Sequence, residues 1–176
     1  MANLIQAENS PTSPDKINSF KIDLPGVFYS SSPEETFALG SCVSQILKIG
    51  SIVALRGALG SGKTCMIKGI AKGLGIEEEL TSPTYTIVSE YELTAGYKEP
   101  VPVYHVDAYR LGGNDDFSCI GGEEIIFGRG ISLIEWSEHI PSFVPPEALR
   151  IDIEIVKDDK RLIRICYGNK NEHSCP

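Results

Sequence analysis

The residues with the most specific chemistry lie in one short glycine-rich segment, Gly57–Thr64. The segment fits the spacing G-x-x-x-x-G-K-[ST] of a phosphate-binding loop, or P-loop. Its glycines let the backbone curl so that successive N–H groups point inward around a phosphate, and the positive end of the following helix adds to the attraction. The spacing predicts that Lys63 contacts the β- and γ-phosphate oxygens of a nucleoside triphosphate. The hydroxyl of Thr64 is expected to bind Mg²⁺.

Acidic residues end two of the predicted strands. The apolar stretch Val101–Asp107 ends in Asp107, and the stretch Ile131–Glu135 ends in Glu135. In an open α/β sheet, ligands bind at the carboxyl ends of the strands, so both acids are expected beside the P-loop. A carboxylate there would hold Mg²⁺ or its water shell. The alternative is that each acid is an ordinary surface carboxylate, and the residues alone do not divide the two roles.

The elements around the P-loop are also predicted from the sequence. Ser51–Arg56 is an apolar run, typical of a strand that is buried on both faces. Apolar residues then recur every three or four positions, which predicts an amphipathic helix that is capped at Gly75. Another helix is expected to start at Ser32–Glu35, where Ser32 and Glu35 form a reciprocal capping box, and to end at Gly50.

Short apolar or alternating stretches predict the rest of the sheet. The stretch from Leu149 alternates as a half-exposed edge strand would. The predicted fold class is therefore α/β: a single P-loop NTPase-like domain with a mixed, mostly parallel central sheet flanked by helices. The predicted organisation is a loose leader at 1–19, an ATPase domain at 20–168 and a polar tail at 169–176. The further predicted strands are Phe20–Leu24, Thr84–Glu90, Val101–Asp107, Ile131–Glu135, Leu149–Val156 and Arg161–Tyr167.

Composition narrows the classes of partner. The chain has 176 residues, with 16 Lys+Arg against 24 Asp+Glu and a net charge of −8, so it offers no overall basic surface for nucleic acid. Any role near RNA is expected to run through a partner protein. The sequence shows no apolar run long enough to span a membrane and no signal peptide. Its five cysteines, without a CxxC pair, suit a reducing cytosol and not a disulfide framework, so a cytoplasmic protein is expected.

Four blocks in this order resemble the bacterial TsaE (YjeE) family, the ATPases of tRNA threonylcarbamoyladenosine formation. The blocks are Gly57–Thr64, Ser82–Val88, His105–Leu111 and Ile134–Trp136. The resemblance covers about residues 32–138. It implies that the ligands are ATP or ADP with Mg²⁺ and that intrinsic hydrolysis is slow. It also implies two partners, a TsaD-like transferase and a TsaB-like companion protein, with tRNA reached only through their complex.

The resemblance also implies roles for individual residues. Lys63, Asp107 and Glu135 are the implied catalytic residues, and Thr64 and Glu135 the implied Mg²⁺ ligands. Trp136 is placed by the nucleotide or the partner surface, and Ser82–Thr86 resembles a switch loop. Residues around Pro33–Thr36 are placed near the adenine. The implied nucleotide-binding residues are Leu59, Gly60, Ser61, Gly62, Lys63, Thr64, Asp107, Glu138 and Arg161.

Some positions depart from the family pattern, and other functions remain open. Ala58, Cys65 and the stretch 112–116 differ from the residues common in the family. A small-molecule kinase would need an Arg-bearing lid, for which only Gly112–Gly130, with its single Arg129, is available. A nucleotide-sensing adaptor that does not hydrolyse ATP is the other alternative. His105 fits a hydrogen-bonding or packing histidine better than half of a metal site.

Overall fold

The computed structural model describes residues 22–78, 80–81, 83, 86–94, 96–157 and 160–168. These residues form a seven-stranded sheet with helices on both faces. The strands are β1 (Gly26–Ser30), β2 (Ile52–Arg56), β3 (Val88–Leu93), β4 (Val101–Asp107), β5 (Ile131–Glu135), β6 (Leu149–Lys157) and β7 (Lys160–Tyr167). The α-helices are α1 (Pro33–Val43), α2 (Lys63–Leu74), α3 (Asn114–Cys119) and α4 (Gly122–Phe127). Short 3-10 helices cover Ser44–Ile46, Ala108–Arg110, Ser137–His139 and Pro141–Phe143.

The sheet is mixed, with its parallel part at the centre. The strand order is β1-β7-β6-β2-β5-β4-β3. The central strands β6, β2, β5 and β4 are parallel to one another, whereas β3, β7 and β1 pair in antiparallel fashion. Helices α3 and α4 provide the crossover that a parallel β4–β5 pair requires. The predicted α/β fold with a mixed central sheet is confirmed, and its antiparallel strands lie at the two margins.

Side chains alternate between the two faces along each central strand. On the first face, Val53 and Leu55 of β2 and Leu133 of β5 are buried against α1 and α2. On the second face, Ala54 of β2 and Ile134 of β5 are buried against α3, α4 and the segment that follows β5. The sheet therefore separates two hydrophobic cores, and the P-loop joins β2 to the helix that covers the first face.

Helices α1 and α2 pack closely through glycines. A Cβ atom at Gly69 would overlap the carbonyl oxygen of Phe37, and one at Gly40 would overlap the carbonyl oxygen of Met66. Helix α2 ends, as predicted, at Gly75, which has the left-handed φ of 92° that glycine adopts easily. This close packing fixes the position of the helix that begins in the P-loop.

Helix α1 begins largely as predicted. The hydroxyl of Ser32 accepts a hydrogen bond from the N–H of Glu35 at 3.2 Å. The Glu35 carboxylate was expected to bond the N–H of Ser32, but it accepts instead from the N–H of Ser31 at 2.7 Å. The predicted extension to Gly50 is wrong, because α1 ends at Val43 and a 3-10 turn follows it.

Three strand predictions need correction. The predicted strand Phe20–Leu24 is wrong in its described part, because residues 22–24 are not in a strand. The first strand, β1, begins at Gly26, where the chain pairs with β7. For the predicted strand Thr84–Glu90, the structure starts β3 at Val88, and residues 84 and 85 lie outside the described residues. Strand β6 is not an edge, because it lies between β2 and β7; its alternation instead reflects one face packed against the core and one left more open.

One of the described cysteines is in a disulfide bond. Cys166 is disulfide-bonded, so the expectation of a chain without disulfides is wrong at this position. Cys42, Cys65 and Cys119 are free thiols. No helix among the described residues is long and apolar enough to cross a membrane. The predicted leader at 1–19 and tail at 169–176 lie outside the described residues.

Candidate functional site

The carboxyl ends of β2, β5 and β4 meet beside the P-loop. Strand β5 lies between the other two, with Leu55 of β2 opposite Glu135 and Glu135 opposite Asp107 of β4. Both acids continue the alternation that places Leu133 on the first face, so they share the side of the sheet that α2 covers. The structure thus brings together the two acids that the sequence predicted at separate strand ends.

The P-loop backbone needs glycine at specific positions. Gly57 has a φ of 145°, and a Cβ atom there would overlap the carbonyl oxygen of Ile153. Gly62, the residue before α2, has a left-handed φ of 112°. These conformations suit glycine and disfavour other residues. The loop tip is open to solvent, with the Leu59 side chain 79% exposed, while the N-terminal end of α2 points into the loop.

Lys63 is held inside the P-loop. Its side chain is buried, and its ammonium group donates hydrogen bonds to the carbonyl oxygens of Gly57 at 2.8 Å and Ala58 at 3.0 Å. The same nitrogen lies 3.8 Å from the centre of the Trp136 ring, which is a cation–π contact. The lysine therefore stands at the centre of the loop, where a P-loop places the end of a phosphate chain.

Burial lowers the pKa of Lys63, because leaving water disfavours the charged ammonium group. The negative charges of Glu135, Glu138 and Asp107 oppose this effect and raise the pKa. Glu138 itself is exposed in the 3-10 turn after β5. The three acids therefore favour the charged form of Lys63, against the effect of burial.

Thr64 and Glu135 are joined directly. The Thr64 hydroxyl lies 2.8 Å and 3.0 Å from the two Glu135 carboxylate oxygens, and it donates a hydrogen bond to them. The Nε2 atom of His105 lies 2.9 Å from the Glu135 Oε1 atom. His105 is fully buried and Glu135 is 4% exposed. The carboxylate is therefore fixed from two sides, by the P-loop helix and by β4.

Asp107 is held differently from Glu135. One of its carboxylate oxygens accepts from the N–H of Tyr109 at 3.1 Å and caps the turn that follows β4. Its own N–H donates to the carbonyl oxygen of Ile87 at 2.8 Å. Ile87 has a φ of 66°, a costly backbone conformation for a β-branched residue. Residues 82, 84 and 85 of the predicted switch loop Ser82–Thr86 lie outside the described residues, and Ile87, just after that loop, is tied to Asp107.

The remaining predicted nucleotide-side residues lie around the loop. Arg161 of β7 donates from Nε to the carbonyl oxygen of Ser61 at 3.0 Å, and from one terminal nitrogen to that of Gly60 at 3.5 Å. Through these contacts Arg161 supports the backbone of the P-loop. The Ser61 hydroxyl is buried and has no hydrogen-bond partner among the described residues.

The start of α1 lies against the P-loop. The Thr36 methyl group is 3.6 Å from the place that a Cβ atom of Gly62 would occupy. The Cys65 thiol donates to the carbonyl oxygen of Pro33 at 3.1 Å, and burial raises the pKa of this thiol. The segment around Pro33–Thr36 is therefore beside the loop, and its contact with adenine stays a prediction.

An aromatic cluster, Tyr109–Trp136–His139, borders the site. The ring centres of Tyr109 and Trp136 are 4.9 Å apart, and those of Trp136 and His139 are 5.9 Å apart. Sequence reasoning placed Trp136 by the site but missed Tyr109 and the bond between His105 and Glu135. The available signal for His105 was its position two residues before Asp107, which puts both side chains on one face of β4.

The site has the groups that a nucleotide and Mg²⁺ need. Hydroxyl and carboxylate oxygens are the hard donors that Mg²⁺ prefers, and Mg²⁺ usually keeps several waters while binding one or two protein groups. The pair Thr64 and Glu135 meets that requirement, and the buried, unpartnered Ser61 hydroxyl lies in the same loop. Across the described ranges, no group of three His, Cys, Asp or Glu side chains could hold a metal by itself.

The sheet, the P-loop and the acids at its strand ends define an α/β protein of the P-loop class. A model of the family described as "Threonylcarbamoyl adenosine biosynthesis protein TsaE" matches residues 30–163. The chain belongs to the TsaE family, which acts in tRNA threonylcarbamoyladenosine biosynthesis.

Individual relatives agree with this assignment. The chain is 41% identical over 136 residues to the TsaE protein of Treponema pallidum (strain Nichols), covering 77% of this chain and 96% of the relative. It is 39% identical over 145 residues to that of Bacillus subtilis (strain 168), covering 82% and 87%. The crystal structure of YdiB from Bacillus subtilis superposes with a TM-score of 0.64 at 34% identity, covering 82% of this chain and 86% of YdiB.

Proposed function

We propose that this chain is a Mg²⁺-dependent P-loop ATPase that binds and hydrolyses ATP on a transferase complex, and thereby supports N6-threonylcarbamoyladenosine formation in tRNA. The observation that carries the proposal is the 2.8 Å contact between Thr64 of the P-loop and Glu135 at the end of β5. It places a hydroxyl and a carboxylate at the mouth of a phosphate-binding loop, next to the buried ammonium group of Lys63.

The residues would divide the work by their positions. Lys63 would leave the carbonyl oxygens of Gly57 and Ala58 and contact the phosphate oxygens, which are stronger partners because they are charged. Thr64 and Glu135 would hold Mg²⁺, the latter directly or through a water molecule. Bound Mg²⁺ supplies positive charge to the β- and γ-phosphate oxygens during phosphoryl transfer.

Asp107 would position the attacking water. Its carboxylate lies next to Glu135 in the β4–β5 register but bonds the backbone of Tyr109 and not Thr64. One oxygen remains for a water molecule, since only one accepts that backbone N–H. The charge on Lys63 and the metal would stabilise the transition state, as preorganised charges do in other phosphoryl-transfer enzymes.

Binding and turnover test this proposal separately. Calorimetry should detect ADP and ATP binding that strengthens with Mg²⁺, and phosphate release should accelerate when a TsaD-like and a TsaB-like protein are added. The substitutions Thr64→Ala, Asp107→Ala and Glu135→Ala should each abolish turnover. Lys72→Ala, on the exposed side of the same helix, is the matched control and should change neither measurement.

The rival functions predict other results. A kinase lid is disfavoured because the stretch Gly112–Gly130 contributes the buried Phe117 and Ile126 to the second core. Its Arg129 pairs with Glu99 at 3.0 Å. Arg129 comes just before β5, so it lies at the opposite end of that strand from Glu135. A nucleotide-sensing adaptor would bind ATP without phosphate release even when both partners are present. Full turnover by Glu135→Ala would refute the assignment of that residue.

The role in tRNA modification needs its own experiment. Threonylcarbamoyl transfer to tRNA by the two partner proteins should be followed over many turnovers, with and without this chain and ATP. We expect sustained transfer only when both are present. Equal transfer without this chain would contradict the proposed support of the complex, even if ATP hydrolysis had been observed.

A further inference from the structure

A buried histidine connects the two acid-bearing strands. His105 lies on β4 opposite Leu133 of β5, and its ring reaches along the sheet to the carboxylate of Glu135, with Nε2 2.9 Å from Oε1. The ring is fully buried, and its Nδ1 atom has no hydrogen-bond partner among the described residues. Among the described residues, this imidazole therefore makes one hydrogen bond, to Glu135.

The direction of this hydrogen bond follows from its partners. A carboxylate oxygen accepts hydrogen bonds, so His105 donates to Glu135 through Nε2–H. The same Oε1 atom of Glu135 also accepts from the Thr64 hydroxyl at 2.8 Å. Two donors from different elements therefore converge on one oxygen, which favours one orientation of the carboxylate.

We propose that His105 is a positioning residue for Glu135: its Nε2–H bond orients the carboxylate so that it can receive Mg²⁺ beside Thr64. The inference rests on the proposed function, because it concerns the same metal position. Removing a hydrogen-bond donor that orients a metal ligand typically lowers metal affinity by about 10–100-fold. The hydrogen bonds of Lys63 to the P-loop carbonyls do not involve His105, so phosphate binding by Lys63 should survive substitution of His105.

Two substitutions separate the hydrogen bond from the packing of the ring. His105→Phe keeps an aromatic ring in the core but removes the donor, whereas His105→Gln keeps an N–H group at a similar distance from the backbone. Val103→Ala, in a fully buried position on the same face of β4, controls for loss of core packing alone.

The first readout is ADP binding by calorimetry at a series of Mg²⁺ concentrations. Mg²⁺ should strengthen ADP binding, and we expect His105→Phe to raise the Mg²⁺ concentration that gives half of this effect by about 10-fold or more. ADP affinity without Mg²⁺ should stay unchanged, and His105→Gln should recover most of the loss. If His105→Phe and Val103→Ala show the same Mg²⁺ dependence as the unmodified chain, the positioning role is refuted.

The second readout does not depend on nucleotide. Long-range proton–nitrogen NMR correlations of the unmodified chain should show His105 with its hydrogen on Nε2, and a ring protonated only on Nδ1 would overturn the proposal. A failure of the proposed function looks different. In that case the unmodified chain itself would show no Mg²⁺-dependent ADP binding, whatever the tautomer of His105.

Discussion

The two faces of the sheet carry different kinds of residue. The first face, under α1 and α2, holds the buried Lys, His, Asp and Glu side chains of the described residues: Lys63, His105, Asp107 and Glu135. The second face, under the short helices α3 and α4, is packed with apolar side chains such as Phe117 and Ile126. Buried charges usually cost stability, whereas buried apolar groups supply it. The first face therefore carries the site residues beside its own hydrophobic core, and the second face supplies mainly hydrophobic packing.

This division predicts how substitutions should sort. A change on the second face should lower the free energy of unfolding and leave ligand binding by the folded chain intact. A change on the first face should affect both, because α2 begins in the P-loop and packs closely on α1. The predictions below test this division, beginning with the largest effect.

The largest effect is expected from core truncation on either face. Phe117→Ala and Ile67→Ala each remove a fully buried side chain, so each should lower the free energy of unfolding by about 2–5 kcal/mol. Urea unfolding would measure this loss. Below the unfolding transition, ADP affinity should be unchanged for Phe117→Ala but weaker for Ile67→Ala, which lies one turn beyond Lys63 on α2. Equal ADP affinities for the two variants would break the division between the faces.

Local patterns in the sequence account for the central elements. The apolar runs that end in Asp107 and Glu135 have the same bounds in the structure as in the prediction, because strands buried on both faces leave a clear signal. The P-loop and the cap at Gly75 also follow from local chemistry. The outer strands of the sheet do not follow from local patterns. The first strand was predicted at Phe20–Leu24, but the position of β1 depends on pairing with β7, at the far end of the chain.

The sequence supplies candidate residues for the site but not the bonds between them. The sequence supplied Thr64 and Glu135 as separate candidates, but their contact spans 71 positions and depends on the order of the strands. The same holds for His105 and Glu135, which are 30 positions apart. The stretch Gly112–Gly130 was a possible lid by composition, yet Phe117 anchors it in the second core. Long-range pairing decides these features, and periodicity does not report it.

A smaller effect is expected where the two helices of the first face touch. In Gly69→Ala the new methyl group would overlap the carbonyl oxygen of Phe37, so the helices must separate. Such overpacking should lower the free energy of unfolding by about 1–3 kcal/mol. The neighbouring Lys68 is exposed, so Lys68→Ala should stay within about 0.5 kcal/mol of the unmodified chain. Thermal or urea unfolding of the two variants checks this, and equal stabilities would contradict the close packing of α1 on α2.

Trp136 sharpens the comparison because it connects the two faces. Its ring packs against the second core, yet it lies under the Lys63 ammonium group. Loss of this cation–π contact in Trp136→Leu should cost about 0.5–2 kcal/mol of ADP binding, or roughly 2–30-fold in affinity. Trp136→Phe keeps a ring and should lose less. Calorimetry on both variants measures the difference, and unaltered ADP affinity in Trp136→Leu would mean that the ring does not orient the lysine.

The smallest expected effect is the pH dependence that Lys63 contributes. Burial lowers the pKa of Lys63 from its ordinary value of 10.5. Between the lowered pKa and 10.5, the unfolded chain keeps this proton and the folded chain loses it, so the unfolded state binds more protons. The stability contributed by this group therefore rises with pH in that window. ADP affinity should fall in the same window, because the ammonium group that contacts phosphate is lost.

A rise in stability with pH, together with a fall in ADP affinity, would identify Lys63 as the group that loses its proton. The free energy of unfolding should be measured by urea titration at several alkaline pH values for the unmodified chain and for Lys63→Met, since their difference isolates the contribution of Lys63. That difference should change with pH in favour of the unmodified chain, while its ADP affinity declines. If stability and ADP affinity declined together, the ammonium group would be stabilising the folded state, and its contacts with the P-loop carbonyls would outweigh the loss of hydration. The first face would then gain stability from the same charge that we propose it uses for chemistry.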